Sequence, residues 1–142
     1  MATMNKFHAL PIRVYFEDTD TGGIVYYANY LKFAERGRTE LLRHLGVSHA
    51  EMIKNQGVMF VIRSCLLNCL APARLDDVLE VRTYFKKLSH AKLEVSQAIV
   101  REDQLVATLE VVLACINSLG KPIKITDHLR HLLRTYESNL EI

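Results

Sequence analysis

No run of about 20 apolar residues occurs in this chain, so none of it reads as a membrane-spanning helix. Its first residues lack the basic stretch followed by an apolar core that a secretory signal needs, and a cytoplasmic location is the expectation. Cysteine is scarce and odd in number. Cys65, Cys69 and Cys115 do not suggest a disulfide framework; they lie in strongly apolar segments and read as reduced thiols serving as small hydrophobes. A zinc site takes about four ligands, and no second cluster stands near to complete one. Basic residues are scattered among acidic ones, 18 against 16, which does not point to nucleic acid. A serine nucleophile elbow, a phosphate loop and a dinucleotide fingerprint are missing. Internal repeats, linkers and low-complexity stretches are missing too.

What remains is ordinary globular material. The 142 residues are 49% hydrophobic and 24% charged, enough to bury a core and about the size of one domain, expected over 1–142. Residues 11–17 alternate weakly and predict a first strand. A helix follows from about Val25 or Tyr26 to Leu45 and stops at Gly46. Its apolar face should carry Tyr27, Tyr30, Leu31, Ala34, Gly37, Leu41, Leu42 and Leu45, with Lys32, Arg36, Glu40 and Arg43 opposite. Gly37 beside Ala34 predicts a close approach of the helix to a sheet, since glycine inside a helix costs roughly 1 kcal/mol relative to alanine. Ser48, with Glu51 three residues on, predicts a capped short helix to about Asn55.

From Gly57 the period changes to two, and 58–70, 77–87, 92–102 and 105–117 predict four strands. Leu79, Val81 and Phe85 should face inward. In 58–70 and 105–116 both parities are largely apolar, so both faces must be covered, one of them by another copy of the protein. Thr126 could cap a last helix carrying Leu129, Leu132, Leu133 and Tyr136. The short connections favour antiparallel pairing, giving an α+β domain in which a curved sheet wraps a helix.

The segment Glu17-Asp18-Thr19-Asp20-Thr21-Gly22-Gly23, between the first strand and the helix, carries the chemistry. Asp, Thr and Gly are turn material in their own right. The same loop could instead hold a carboxylate beside the helix N-terminus, whose unpaired N–H groups suit an electrophilic carbonyl oxygen. A calcium loop counted from Asp18 would need Glu where Asn29 stands, and no helix precedes it. Glu35 and Arg38 lie at the margin of the buried face. They read either as an ion pair or as a desolvated Glu35 that positions water or orients Asp20. Tyr26, Tyr27 and Tyr30 read as core or pocket wall. No histidine has a metal partner by sequence.

Two motifs in order, Glu17 to Tyr26 with its continuation Tyr30 to Leu42, and Ala71-Pro72-Ala73-Arg74-Leu75-Asp76-Asp77, resemble the 4-hydroxybenzoyl-CoA thioesterase family of hotdog-fold proteins, and within it the YbgC branch of acyl-CoA thioesterases associated with the Tol-Pal system. The resemblance covers nearly the whole chain. It implies a five-stranded antiparallel sheet wrapped around a long central helix, assembly into dimers or tetramers with active sites at subunit interfaces, and hydrolysis of an acyl-CoA in lipid metabolism. It makes Asp20 the catalytic nucleophile or general base and the Tyr27 backbone N–H the donor to the thioester carbonyl, with Val25, Tyr26 and Tyr30 beside the substrate. No cofactor or metal is implied; coenzyme A enters as part of the substrate.

Many members of the branch have histidine at the place of Tyr27, so any side-chain role of that histidine in catalysis or substrate placement is lost or changed here. The aromatic-thioester branch has proline at the place of Thr21, which disfavours a hydroxybenzoyl substrate and leans the expectation toward short or medium aliphatic acyl groups. Lys86, Lys87 and Lys92 around Ser89-His90 could meet coenzyme A phosphates or an acidic acyl carrier protein, or form only a solvated strand end. A non-catalytic acyl-CoA sensor or scaffold is the alternative. A hydratase, which would pair its carboxylate with histidine, is disfavoured by Val25.

Overall fold

The computed structural model of the protein describes residues 6–136, so both ends of the expected 1–142 domain lie outside the described residues. The elements run β1 (His8–Arg13), a 3-10 turn (Phe16–Asp18), α1 (Ala28–His44), α2 (His49–Glu51) continued by a π turn (Met52–Gln56), β2 (Val58–Cys69), β3 (Val78–Leu88), β4 (Lys92–Arg101), β5 (Gln104–Asn117) and α3 (Asp127–Arg134). One antiparallel sheet has the order β1-β3-β4-β5-β2, and α1 packs over β1, β3 and β4. This is the α+β arrangement of the hotdog fold.

Alternation places Leu79, Val81 and Phe85 fully inside, as the period of two requires. Against them α1 buries Tyr30, Phe33, Ala34, Gly37 and Leu41. The close approach expected at Gly37 is present. A Cβ there would lie 2.7 Å from Val81 Cγ1 and 2.9 Å from Thr83 Oγ1, so only glycine lets the helix axis sit this near the sheet. Gly46 stops the helix at φ +86. The expected face departs from the observed one, however: Tyr27 and Leu31 are exposed, while Phe33, absent from the expected face, is buried.

The first strand covers 8–13 rather than 11–17. Beyond it Val14 N–H bonds to Asp77 O, and the Asp18 carboxylate accepts the Tyr15 N–H at 2.8 Å, curling residues 16–18 into the 3-10 turn. The helix begins at Ala28 because Val25 N–H is committed to Ala73 O and Tyr26 N–H to Asp18 O. At Ser48 the side chain accepts from Glu51 N–H at 3.1 Å, and the short helix it caps runs on as the π turn to Gln56.

The two strands of doubly apolar pattern differ. In β5, Val106, Ala107, Leu109, Val111, Leu113 and Cys115 are buried. In β2 only Val58 is buried, while Cys65 and Cys69 are exposed, as are Ile62 and Leu66, both by more than half. The reason is position: β5 has a strand on each side, whereas β2 is an edge beyond the main packing of α1.

Candidate active site

The site begins with a miniature hairpin. Thr19 bridges Val25, Asp20 N–H bonds to Ile24 O at 2.9 Å, and Gly23 N–H returns to Asp20 O at 3.0 Å with Gly23 at φ +78, a left-handed conformation that glycine adopts without strain. At its tip the Asp20 carboxylate accepts the Gly22 N–H through Oδ1 at 2.8 Å. A Cβ on Gly22 would come within 3.1 Å of that oxygen, so glycine here keeps the carboxylate uncrowded. Among the described residues Oδ2 has no donor, and Asp20 is exposed.

Asp18 has a different environment. Its carboxylate takes the Tyr15 N–H, and its carbonyl oxygen accepts both Tyr26 N–H at 2.9 Å and Asn29 Nδ2 at 2.8 Å. Asp18 therefore ties the loop to the start of α1. Immediately beyond, the N–H groups of Tyr27 and Ala28 donate to no backbone carbonyl among the described residues. These are the orphan donors of a helix start, where the dipole is positive and an oxyanion is stabilised.

A strap supports the hairpin from behind. Ile24 bridges Arg74, and Val25 N–H reaches Ala73 O at 2.8 Å. Asp77 Oδ2 holds the strap by accepting Arg74 N–H at 2.8 Å and Arg101 Nη1 at 2.7 Å, while the same Nη1 lies 3.0 Å from Pro72 O. Burial alone would raise the Asp77 pKa; the Arg74 N–H and the Arg101 guanidinium outweigh it and hold the carboxyl below the usual range. This strap is the second motif, so both motifs of the sequence meet at one place.

The thioesterase-like superfamily matches residues 14–133 of the chain. The chain belongs to this superfamily. Within it, the relatives place the chain on the YbgC branch of hotdog proteins. The acyl-CoA thioester hydrolase YbgC of Escherichia coli O6:H1 is 44% identical over 110 residues, 77% of this chain and 81% of that protein. The acyl-CoA thioesterase YbgC of Haemophilus influenzae is 38% identical over 113 residues, covering 80% and 82%. Among solved structures, a probable thioesterase from Bartonella henselae superposes with a TM-score of 0.82 at 36% identity, covering 84% of this chain and 99% of that one.

Not every candidate residue of this superfamily member converges on Asp20. Tyr26 and Tyr27 follow its hairpin directly in the chain, both exposed at the helix start with ring centroids 4.9 Å apart. Val25 and Tyr30 are buried beneath the loop, so they support the site without offering it a surface, and burial pushes the Tyr30 phenol up. Glu35 corrects both of its readings. It is exposed rather than desolvated, about 10 Å along the axis from Ala28, and it forms no ion pair with Arg38.

Lys86, Lys87, Ser89, His90 and Lys92 lie at the far end of the sheet. The Asp20 hairpin sits by the start of β3, where Arg13 pairs Val78, and β3 runs its 11 residues away from it, roughly 33 Å. Lys86 also approaches Glu110 at 3.7 Å. Within one chain the basic turn and Asp20 are separate.

Asn29, Gln97 and the pair Asp77–Arg101 were missed. Gln97 was detectable as a polar residue at an inward parity of β4, between Val95 and Ile99. It donates through Nε2 to Ala34 O and Thr83 Oγ1 and accepts from Arg38, bolting α1 to the sheet.

Proposed function

We propose that the protein hydrolyses acyl-CoA thioesters to the free acid and coenzyme A. The observation that carries this reading is an uncrowded Asp20 carboxylate, one oxygen oriented by Gly22 N–H, in the loop that leads into a helix start whose Tyr27 and Ala28 N–H groups have no backbone acceptor among the described residues. A thioester carbonyl oxygen at the helix start would gain negative charge in the transition state against these donors; removing such a donor typically costs about 3–4 kcal/mol.

Asp20 acts in one of two ways with the same balance. As nucleophile, its oxygen attacks the carbonyl carbon, the C–S bond breaks, coenzyme A leaves as thiolate, and water hydrolyses the resulting anhydride. As general base, it takes the proton of the attacking water, whose oxygen adds to the carbonyl carbon directly; the tetrahedral intermediate then breaks its C–S bond and coenzyme A leaves as thiolate. The exposed rings of Tyr26 and Tyr27 flank the scissile bond. The acyl groups are short to medium and aliphatic in their body.

The protein works as a dimer or tetramer in this reading. The exposed apolar edge of β2 supports it, since Ile62 and Leu66 there and Leu70 just beyond lack cover in the single chain. A second copy also gives Lys86, Lys87 and Lys92 a role, by bringing one protomer's basic turn toward its partner's Asp20, to meet coenzyme A phosphates or an acidic acyl carrier protein. The deciding experiment is thiol release from a panel of acyl-CoAs by wild type and Asp20→Asn, with an enzyme-only blank for the cysteines. Turnover lost in Asp20→Asn supports the reading. Binding without turnover by the wild type would make the protein a sensor or scaffold instead.

A further inference from the structure

A groove of about 350 Å³ lies between α1 and the sheet, lined chiefly by apolar side chains, among them Leu31, Ile62, Phe85 and Leu113. Its one deeply buried charge is Arg38, only 9% exposed. The guanidinium donates Nη1 to Gln97 Oε1 at 2.8 Å, a neutral acceptor. Among the described residues no carboxylate forms an ion pair with it, and Glu35, which also lines the groove, only eases the cost of its burial from a distance. Buried charges are ordinarily paired, and a guanidinium presents five donors in a planar fork matched to a carboxylate. The groove thus has apolar walls and, part-way along α1 between Leu31 and Leu42, a buried cation with no carboxylate partner among the described residues.

Its nearest lining residue to the candidate active site along α1 is Leu31, one turn beyond Tyr27. Tyr27 has helical dihedrals (φ −55, ψ −32), and the spacings Tyr27, Leu31, Glu35, Arg38 and Leu42 are those of one helical stripe. Leu31, Glu35, Arg38 and Leu42 line the groove, with Lys32 and His49 also at its wall, so it follows this stripe of α1 from one turn beyond Tyr27. Eleven residues separate Tyr27 from Arg38, roughly 16 Å along the axis, and a helical side chain leans back toward the N-terminus, which shortens that reach.

We propose that this groove holds the acyl chain and that Arg38 selects thioesters whose chain ends in a carboxylate, the coenzyme A monothioesters of medium-length dicarboxylic acids. The inference rests on the thioesterase reading and deepens it. Arg38 is a specificity residue that touches the distal end of the substrate, far from the bond that breaks. Glu35, exposed at the rim and of the wrong sign, opposes the same carboxylate.

The test compares kcat/KM for saturated acyl-CoAs and ω-carboxyacyl-CoAs of equal carbon number, using wild type, Arg38→Gln, Glu35→Gln and Asp20→Asn, with sedimentation of each. The wild type should favour the carboxyacyl member of a medium-length pair by about tenfold or more, because an apolar end leaves the guanidinium desolvated and unpaired. Arg38→Gln should bring that ratio to about one, and Glu35→Gln should raise it a few-fold. Equal rates for both members in the wild type, or a ratio that Arg38→Gln does not move, would overturn the proposal while leaving Asp20-dependent hydrolysis standing. Loss of assembly in Arg38→Gln, together with no wild-type preference, would overturn it by assigning the missing anion to a partner subunit. If Arg38→Gln fails to fold, the wild-type ratio and its response to Glu35→Gln decide. No Asp20-dependent hydrolysis of any thioester would overturn the parent reading and this one with it.

Discussion

Asp18 and Asp20 stand two residues apart in one loop, yet their surroundings divide structure from chemistry. The half ending at Asp18 is committed: carboxylate to Tyr15 N–H, carbonyl to Tyr26 N–H and Asn29 Nδ2. The half beginning at Asp20 spends one carboxylate oxygen on Gly22 and leaves the other without a donor among the described residues. The hydrogen-bond partners distinguish them, because composition is alike on both sides. A carboxylate that closes a turn is held by backbone donors, whereas one that must attack or take a proton needs a free oxygen and room around it.

The sharpest break between the halves is Asp20→Asn. It should lower kcat by about 100-fold or more with no fall in Tm, read by thiol release and calorimetry. A Tm loss comparable to that of Asp18→Asn would make both residues structural.

Gly37→Ala tests stability without chemistry. A Cβ placed 2.7 Å from Val81 Cγ1 must displace the helix or the sheet, an overpacking worth about 1–3 kcal/mol in denaturant titration. Residual activity per folded molecule should persist.

Asp77→Asn loosens the strap behind Asp20 and should cost about 1–2 kcal/mol. Because the folded pKa of Asp77 is depressed, its ionised form contributes stability that is present above the ordinary carboxylate pKa and is lost as pH falls through the folded value. Asp77→Asn should flatten that acid limb of the stability profile. If the strap positions the catalytic loop, kcat falls more than KM rises, and an unchanged kcat would confine Asp77 to stability.

The smallest effect belongs to Asp18→Asn. An amide oxygen can still accept the Tyr15 N–H, so the loss should be about 0.5–1.5 kcal/mol and activity should stay within a few-fold of wild type. A larger loss of kcat with Tm preserved would exchange the roles of the two aspartates.

Much of the architecture was legible beforehand. A period of two marked β3, and the small pair Ala34 and Gly37 marked the contact of helix with sheet, because both patterns are local. The acidic loop could be singled out for the same reason, since Asp, Thr and Gly between a strand and a helix form a compact composition signal. What stayed hidden depends on residues distant in the chain. Arg38 and Gln97 are 59 positions apart and Asp77 and Arg101 are 24 apart, and neither pair has a spacing rule. The expected Glu35–Arg38 ion pair failed for that reason: at helical spacing the two are neighbours, but Gln97, brought in by β4, offers Arg38 the nearer acceptor.

The two doubly apolar strands mark the same boundary. Pattern alone made β2 and β5 equivalent, and only the sheet order, with β5 interior and β2 at the edge, separated them. The sequence by itself determined the elements, the helix stop, the close approach at Gly37 and the loop that carries the carboxylate, because these follow from backbone sterics and side-chain period over a few residues. The tertiary structure decided which aspartate keeps an oxygen without a donor and which arginine is buried without an anion among the described residues, and that the basic turn lies a strand's length from Asp20, because each depends on which distant groups folding brings within hydrogen-bond reach.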